Sequence, residues 1–386
     1  MKYSKACGFA LLLFLLAGYN YRAVAGPPTI TNCAMVDSVP QLTIAAEVGT
    51  TNQVLSVTDL TQTNWTVLTN LVVTQSAYVF ADTITSPGTQ RFYRVADPNW
   101  PADSPPPGMA LIPAGDFEMG NDFPNDYGEA QYEVPVHTVY ISAFYMDKYE
   151  VSYALWTNVY AWGVSNGYSF DDPGAGKATN HPVQMVSWYD VVKWCNARSE
   201  MEGLMVSYYA DSNMTQVYRT GDLAPYVDWY AGYRLPTESE WEKADRGGAS
   251  AHRFPWSNTD TISHSQANYY ADTNDYPYDV SPTQGYNPAF VDGVMPYTSP
   301  IGSFAPNGYG LYDTAGNVWE WCWDYAGNYS SDTETDPRGP TTGTTRVGRG
   351  GNWNYFAVDC RDSYRYGDPP TDTASNIGFR TARRVP

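Results

Sequence analysis

The stretch Asn307–Trp323 reads NGYGLYDTAGNVWEWCW and decides how the chain folds. An extended Val318–Asp324 puts Trp319, Trp321 and Trp323 on one face and Val318, Glu320, Cys322 and Asp324 on the other. Three tryptophans on one face need a core to cover them. Glu320 then points the opposite way, toward the turn that carries Asp313. Two carboxylates beside a glycine-containing turn with free carbonyls form an oxygen cage suited to a hard cation. The alternative for Glu320 is a buried ion pair, with Arg349 or Arg361 as partner.

Around this stretch the chain is rich in rings and poor in charge, with 13 Trp, 33 Tyr and 16% charged residues. Disorder requires the opposite balance, so a packed core is expected. The net charge of −19 repels nucleic acid and anionic lipid, and the surface suits hard cations. At the other end, Lys2, Lys5 and Arg22 flank the apolar run Phe9–Ala17, and Ala23-Val24-Ala25 is a small-x-small cleavage pattern. Residues 1–25 therefore read as a signal peptide, giving a mature chain from about Gly26 that is secreted, periplasmic or cell-surface. Its removal also takes Cys7. The four remaining cysteines, Cys33, Cys195, Cys322 and Cys360, are too few to form a disulfide framework. No other segment is long and apolar enough to cross a membrane.

Residues 26–97 hold short β-branched or aromatic segments at Gln41–Val48, Gln53–Val57, Trp65–Leu68, Ala77–Ala81 and Gln90–Val95, separated by turn residues. They read as a small all-β, sandwich-like module. Residues 98–108, with three consecutive prolines, form a semi-rigid linker to a second domain spanning 109–386. In that domain Ser187 caps a helix with Trp188, Val191, Val192 and Cys195 along its apolar stripe, and Gly203 ends it. Thr237 and Glu240 form a capping box for a helix that stops at Gly247-Gly248. After residue 250 the sequence is dense in Gly, Pro, Asn, Asp and Tyr. Long ordered loops with bound metal are expected there.

Seven stretches follow one another in the second domain: MALIPAGDFEMG (Met109–Gly120), PVHTVYISAFYMDKYE (Pro135–Glu150), HPVQMVSWYDVVKWCN (His181–Asn196), YRLPTESEWEKADRGG (Tyr233–Gly248), NGYGLYDTAGNVWEWCW (Asn307–Trp323), RGGNW (Arg349–Trp353) and NIGFR (Asn376–Arg380). In this order they resemble the formylglycine-generating enzyme (sulfatase-modifying factor) family from Met109 to Pro386. The resemblance implies an α+β, irregular, loop-rich domain related to C-type lectins. It also implies an oxidase that converts a sulfatase cysteine to formylglycine with one copper ion, held by two cysteines five residues apart. Soft thiolates select Cu(I). Cys360 matches the second of those cysteines, but Tyr355 stands at the first and Asn352 replaces the serine of the Gly-Gly-Ser motif. A phenol is a poor Cu(I) ligand, so copper is not expected. Cys360 is then buried or paired with Cys322.

The same resemblance places a structural calcium on the Asp313 and Glu320 side chains with the Gly316 and Val318 carbonyls. A second calcium would begin at Asn268 and the Tyr269 carbonyl, with Asp279 as a further ligand. Asn352, Trp353 and Arg365 would border the substrate cleft. The arginines Arg346, Arg349, Arg361, Arg365 and Arg380 are expected to pair internally with the many Asp. The function expected is that of a secreted binding module for a peptide, protein or glycan, without the copper-dependent oxidase activity. The alternatives are an active oxidase and a structural or adhesive surface protein. The Glu-Pro-Asn and Gln-Pro-Asp signatures of calcium-dependent sugar binding are absent.

Overall fold

The computed structural model describes residues 29–36, 39–45, 51–57, 66–72, 78–83, 92–96, 105–123 and 132–385. The signal-peptide segment and most of the Pro-rich linker lie outside them. Among the described residues no helix is long and apolar enough to cross a membrane. The chain divides into two compact units, residues 1–107 and 108–386.

The first unit contains β1 (Thr29–Val36), β2 (Val39–Ala45), β3 (Thr51–Val57), β4 (Thr66–Val72), β5 (Tyr78–Ala81) and β6 (Phe92–Ala96). They form two three-stranded antiparallel sheets, ordered β1-β2-β5 and β4-β3-β6. Leu42 and Ile44 of the first sheet and Val54 and Leu71 of the second are buried in one cluster. Alternation along β2 supplies this inward face, as expected for two sheets packed face to face. β1 is the one strand of the module without an expected counterpart, because its polar TNC segment breaks the apolar pattern.

The second unit begins with β7 (Met109–Ile112), β8 (Gly115–Met119), β9 (His137–Ile141) and β10 (Phe144–Asp147). Helices α1 (Tyr153–Ser165) and α2 (Trp188–Met201) follow, then the short strands β11 (Tyr208–Tyr209) and β12 (Tyr226–Val227), and α3 (Glu238–Asp245). Beyond α3 lie β13 (Tyr270–Ala271), β14 (Gly285–Tyr286), β15 (Trp319–Tyr325), β16 (Glu334–Thr335) and β17 (Arg346–Arg349). A single 3₁₀ turn (Ala357–Cys360) precedes β18 (Tyr366–Asp368), β19 (Ile377–Gly378) and β20 (Ala382–Arg384). The principal sheet is ordered β18-β17-β15-β19; smaller sheets are β20-β10-β7 and β16-β9-β8.

Both expected helices form as their caps dictate. The Ser187 hydroxyl accepts from the Asp190 amide, and the reciprocal Thr237–Glu240 capping box is complete. Helix α1 is capped as well, the Ser152 hydroxyl accepting from the Leu155 amide, but it has no one-sided stripe: its rings and β-branched residues run all round, with no acid in its first turn and no base in its last. It forms because packing covers it. Trp156 stacks on Trp194 of α2 with the ring planes 5° apart and centroids at 5.7 Å.

β15 separates two cores. Trp319 and Trp321 are buried among α1 and α2, whereas Cys322 is buried with Trp241 and Ala244 of α3. The polar members of the second face meet α3 as well. Glu320 accepts from the Trp241 indole at 2.7 Å and Asp324 from the Glu238 amide at 2.8 Å. Burial, followed by the neighbouring Glu238, pushes the Asp324 carboxyl up to about 8. The folded state therefore keeps a proton that the unfolded chain releases near pH 4. This contribution to stability is present below pH 4 and lost as pH rises toward 8. Asp324→Asn, which retains the acceptor, should flatten denaturant-measured stability between pH 5 and 7 by about 1.4 kcal/mol per pH unit. An unchanged slope would show that Asp324 ionises at its ordinary pH.

The loop-rich region after residue 250 has its own core of Phe254, Ile262, Ala267, Tyr269, Ala271, Tyr278, Ala315, Ala357 and Cys360. Side chains tie its backbone together. Asn287 Nδ2 donates to the His264 and Ala267 carbonyls, and the Tyr269 hydroxyl donates to Asp279 at 2.6 Å.

Candidate functional site

β17 ends in Gly350-Gly351, and the chain then turns through Asn352-Trp353-Asn354-Tyr355-Phe356 into the 3₁₀ turn that carries Cys360. Gly351 is required: φ is +76°, and a Cβ there would stand 2.7 Å from the Cys360 sulfur. Cys360 is thus closed over by backbone and 1% exposed. Burial, together with Asp359, Asp279 and Asp245, pushes its thiol well above the ordinary range. Such a thiol is neither ionised nor accessible. Cys195, Cys322 and Cys360 are all free and buried, and Cys322 sits in a different core from Cys360. The disulfide reading for Cys322 and Cys360 is corrected accordingly.

Tyr355 lies on the outside of the same turn, 36% exposed, with its ring edge-on to Trp319 at 6.2 Å. Asn352 is fully buried; its Oδ1 accepts from the Asn354 amide, and its Nδ2 has no partner. Trp353 is buried with its indole donating to the Ser375 carbonyl. These residues do not fit a copper held by two thiolates, since the turn offers one buried thiol and, at its exposed side, the Tyr355 phenol.

What the turn does present is rings. Phe356 is 37% exposed and meets Tyr270 at 5.6 Å and Tyr276 at 5.7 Å. Tyr270 meets Tyr286 at 4.8 Å, and Tyr286 meets Tyr297 and Trp353. The rings run continuously from Tyr297 to Tyr276. On the other side of Tyr355, Trp319 stacks on Tyr366 at 5.3 Å. Tyr366 and Arg365 line a surface cleft of about 320 Å³ with Tyr132 and Gly327. Arg365 is committed elsewhere: its Nε and Nη2 bind Glu238, and its Nη1 donates to the Gly327 carbonyl.

Four of the five arginines expected to pair internally are paired among the described residues, and their carboxylate partners are glutamates rather than the expected aspartates. Arg349 binds Glu238 and Glu242, Arg361 binds Glu133, and Arg380 binds Glu320. Glu238 and Glu242 lie one turn apart on α3, which puts both on one face. Arg346 has no such partner and lies over the Trp188 and Tyr325 rings at 3.8 and 3.5 Å. The alternative to a cation at Glu320 is a buried ion pair with Arg349 or Arg361. The register does set Glu320 across from Arg349, but neighbouring side chains on paired strands need not meet, and the guanidinium that reaches Glu320 is Arg380.

Around Glu320 the structure gathers more acid than one arginine balances. Asp313 Oδ2 accepts from the Gly302 amide, while its buried Oδ1 has no partner. Glu150, which the sequence reading missed because it sits 163 residues upstream in an ordinary strand-end motif, is buried beside both and accepts from Asn317 Nδ2 at 2.6 Å. Burial, then Asp313 and Glu320, raises the Glu150 carboxyl well above the usual range; burial raises Asp313 to about 6. The turn is held left-handed at Asp313, Gly316 and Asn317. An unsatisfied carboxylate oxygen within an acidic, carbonyl-bearing turn fits a hard cation. In the second predicted set the Tyr269 carbonyl and the Asp279 carboxylate are engaged in hydrogen bonds. The Tyr269 carbonyl accepts from His264, Asn268 Nδ2 donates to Tyr297, and both Asp279 oxygens accept hydrogen bonds. Among the described residues no three His, Cys, Asp or Glu side chains converge as a metal-binding group.

The chain as a whole resembles known proteins along the same span. Residues 95–385 match the model of the sulfatase-modifying factor enzyme 1-like domain. A formylglycine-generating enzyme from Thermomonospora curvata is 36% identical over 298 residues, covering 71% of this chain and 93% of that one. Its counterpart from Mus musculus is 35% identical over 317 residues, covering 77% and 82%. Among solved structures, Treponema denticola variable protein 1 superposes with a TM-score of 0.53 at 27% identity, covering 78% of this chain and 98% of that one. The fold of the second unit is the C-type-lectin-like one of these proteins. With the glycine turn, the tryptophan strand and the capped helices all in their expected places, the chain belongs to the formylglycine-generating enzyme (sulfatase-modifying factor) family.

Proposed function

We propose that this chain is an exported binding module that keeps the family fold without the copper-dependent oxidation. The observation that carries the reading is the turn after Gly351: an exposed phenol at Tyr355 outside, and an inaccessible thiol at Cys360 inside. The continuous rings from Tyr297 to Tyr276, with Tyr355 and Phe356 at their exposed edge, suit an extended peptide with apolar side chains. Rings give large contact area at low conformational-entropy cost. Export is supported by the charged, apolar and small-x-small order of residues 1–25.

The test is panning of a random peptide library on the intact protein. Enriched peptides should bind the Tyr355→Ala/Phe356→Ala double variant at least about tenfold more weakly, as for central aromatic anchors, with an unchanged melting temperature. Failure to enrich any peptide, or equal binding to the variant, would remove this surface as the site.

A structural calcium is part of the same proposal, supported by the unpartnered Asp313 oxygen and the Glu150–Asp313–Glu320 carboxylates. Asp313, Glu320 and the Gly316 and Val318 carbonyls would hold it, with Asp313 Oδ1 the free oxygen and Glu320 sharing oxygens already bound by Arg380 and the Trp241 indole. At a hundredfold excess over its dissociation constant the ion should stabilise the fold by about 2.7 kcal/mol. Chelator should therefore lower the melting temperature of the native protein and leave Asp313→Ala unaffected. Asp313 is the residue to change because Glu320 also neutralises Arg380. Superimposable melts with and without chelator would count against the ion.

A further inference from the structure

Away from the Gly351 turn, a second cleft of about 130 Å³ opens between the start of β10, the 229–237 segment and the turn at 336–338. Its lining holds three guanidiniums, Arg234, Arg338 and Arg384, against two carboxylates, Glu240 and Asp336. That is a local excess of positive charge on a chain of net −19. Both carboxylates are engaged. Glu240 is bound by Arg234 through two bonds of 2.6 and 2.7 Å, and Asp336 accepts from the Ser142 amide and hydroxyl.

The arginines are only partly engaged. Arg234 is 4% exposed, yet its Nε–H has no hydrogen-bond partner. A buried, unsatisfied guanidinium N–H is costly unless something accepts from it. Arg338 and Arg384 take part in no ion pair among the described residues. Each is held against a ring instead, Arg338 over Trp229 at 4.4 Å and Arg384 over Tyr230 at 4.0 Å. Such stacking fixes the guanidinium plane and leaves its N–H fork free for an acceptor. The mount is rigid as well. Asp336 sits at φ +44° with its amide bound to the Tyr140 carbonyl, and β20 presents Arg384 opposite Phe144 of β10.

We propose that this cleft is an oxyanion-binding site that takes a single carboxylate or sulfate group, with Arg234, Arg338 and Arg384 as its donors. The volume admits one such group and a short stem. Tyr230, 68% exposed, offers the stem an apolar face. The site is separate from the aromatic surface at Tyr355 and does not depend on it. The oxyanion has two sources, a free inorganic ion or the carboxylate of an organic acid such as a uronate, and the same chemistry recognises both.

The experiment measures melting temperature and titration calorimetry of the full chain with sodium sulfate, sodium glucuronate and glucose, each against sodium chloride at matched ionic strength. The chloride arm removes general screening, which stabilises any highly charged protein. Sulfate and glucuronate should each give a saturable stabilisation beyond chloride, and glucose none. Arg338→Gln/Arg384→Gln, two surface changes, should melt normally without anion and bind at least about tenfold more weakly. Glucuronate bound at least about tenfold more tightly than sulfate assigns an organic acid; equal affinities assign the inorganic ion. No effect beyond chloride, an equal response to glucose, or full binding by the double variant would overturn the site.

Discussion

Copper-loaded protein incubated aerobically with a sulfatase-type cysteine peptide is expected to leave the peptide thiol intact, with no aldehyde or hydrate mass by mass spectrometry. Two thiolates are needed to hold Cu(I) linearly, and the second unit offers one at this turn. That one is held away from ligand exchange: Cys360 is 1% exposed, packed on Gly351, and its thiol is pushed up by burial. Tyr355, at the other position, has its backbone amide bound to the Asn352 carbonyl and its carbonyl accepting from the Tyr270 amide. The turn is thus pinned as it stands. Cys360→Ser should act on stability, because it places a hydroxyl in an apolar cluster with Phe254, Ala267 and Tyr269. The expected cost is about 1–3 kcal/mol, read from denaturant melts. Aldehyde formed by the native chain and lost in Cys360→Ser would reverse the reading and make the protein an oxidase.

Arg349→Met should be strongly destabilising. Arg349 is fully buried and donates to Glu238 at 3.1 Å, to Glu242 at 2.5 Å, and to the Asp362 and Tyr364 carbonyls. It ties α3 to β17 and to the segment leading into β18. Methionine fills the volume but leaves two buried carboxylates with less positive charge and two carbonyls without a donor. Removing one partner of a buried ion pair costs about 3–5 kcal/mol, which corresponds to a fall of roughly 10 °C in melting temperature. Arg349→Lys should fall between, since a point charge cannot reproduce the planar fork. A melting temperature within a degree or two of the native value would mean that Arg246 and Arg365, the other partners of Glu242 and Glu238, balance the network alone.

Several parts of this protein could be read from its sequence because they depend on neighbours a few residues away. The capping of α2 by Ser187 and of α3 by Thr237 is local hydrogen bonding. The alternation of Trp319, Trp321 and Trp323 against Glu320, Cys322 and Asp324 is the two-residue period of a strand. The order of seven motifs likewise carried the family.

What the sequence could not supply are contacts made by residues far apart along the chain. Helix α1 has no capping charge or one-sided stripe, and its existence rests on Trp156 finding Trp194 and Phe379. The partner of Glu320 is Arg380, sixty positions on, chosen by which guanidinium the packed core leaves within reach. Glu150 joins Asp313 and Glu320 only because its carboxylate reaches the Asn317 turn, where it accepts from Asn317 Nδ2 and the Val318 amide. The oxyanion cleft draws Arg234, Arg338 and Arg384 from three separate segments, so no spacing along the chain announces it. Local propensity and periodicity are properties of short stretches, whereas the pairing of buried charges is settled by which side chains the closed core brings together.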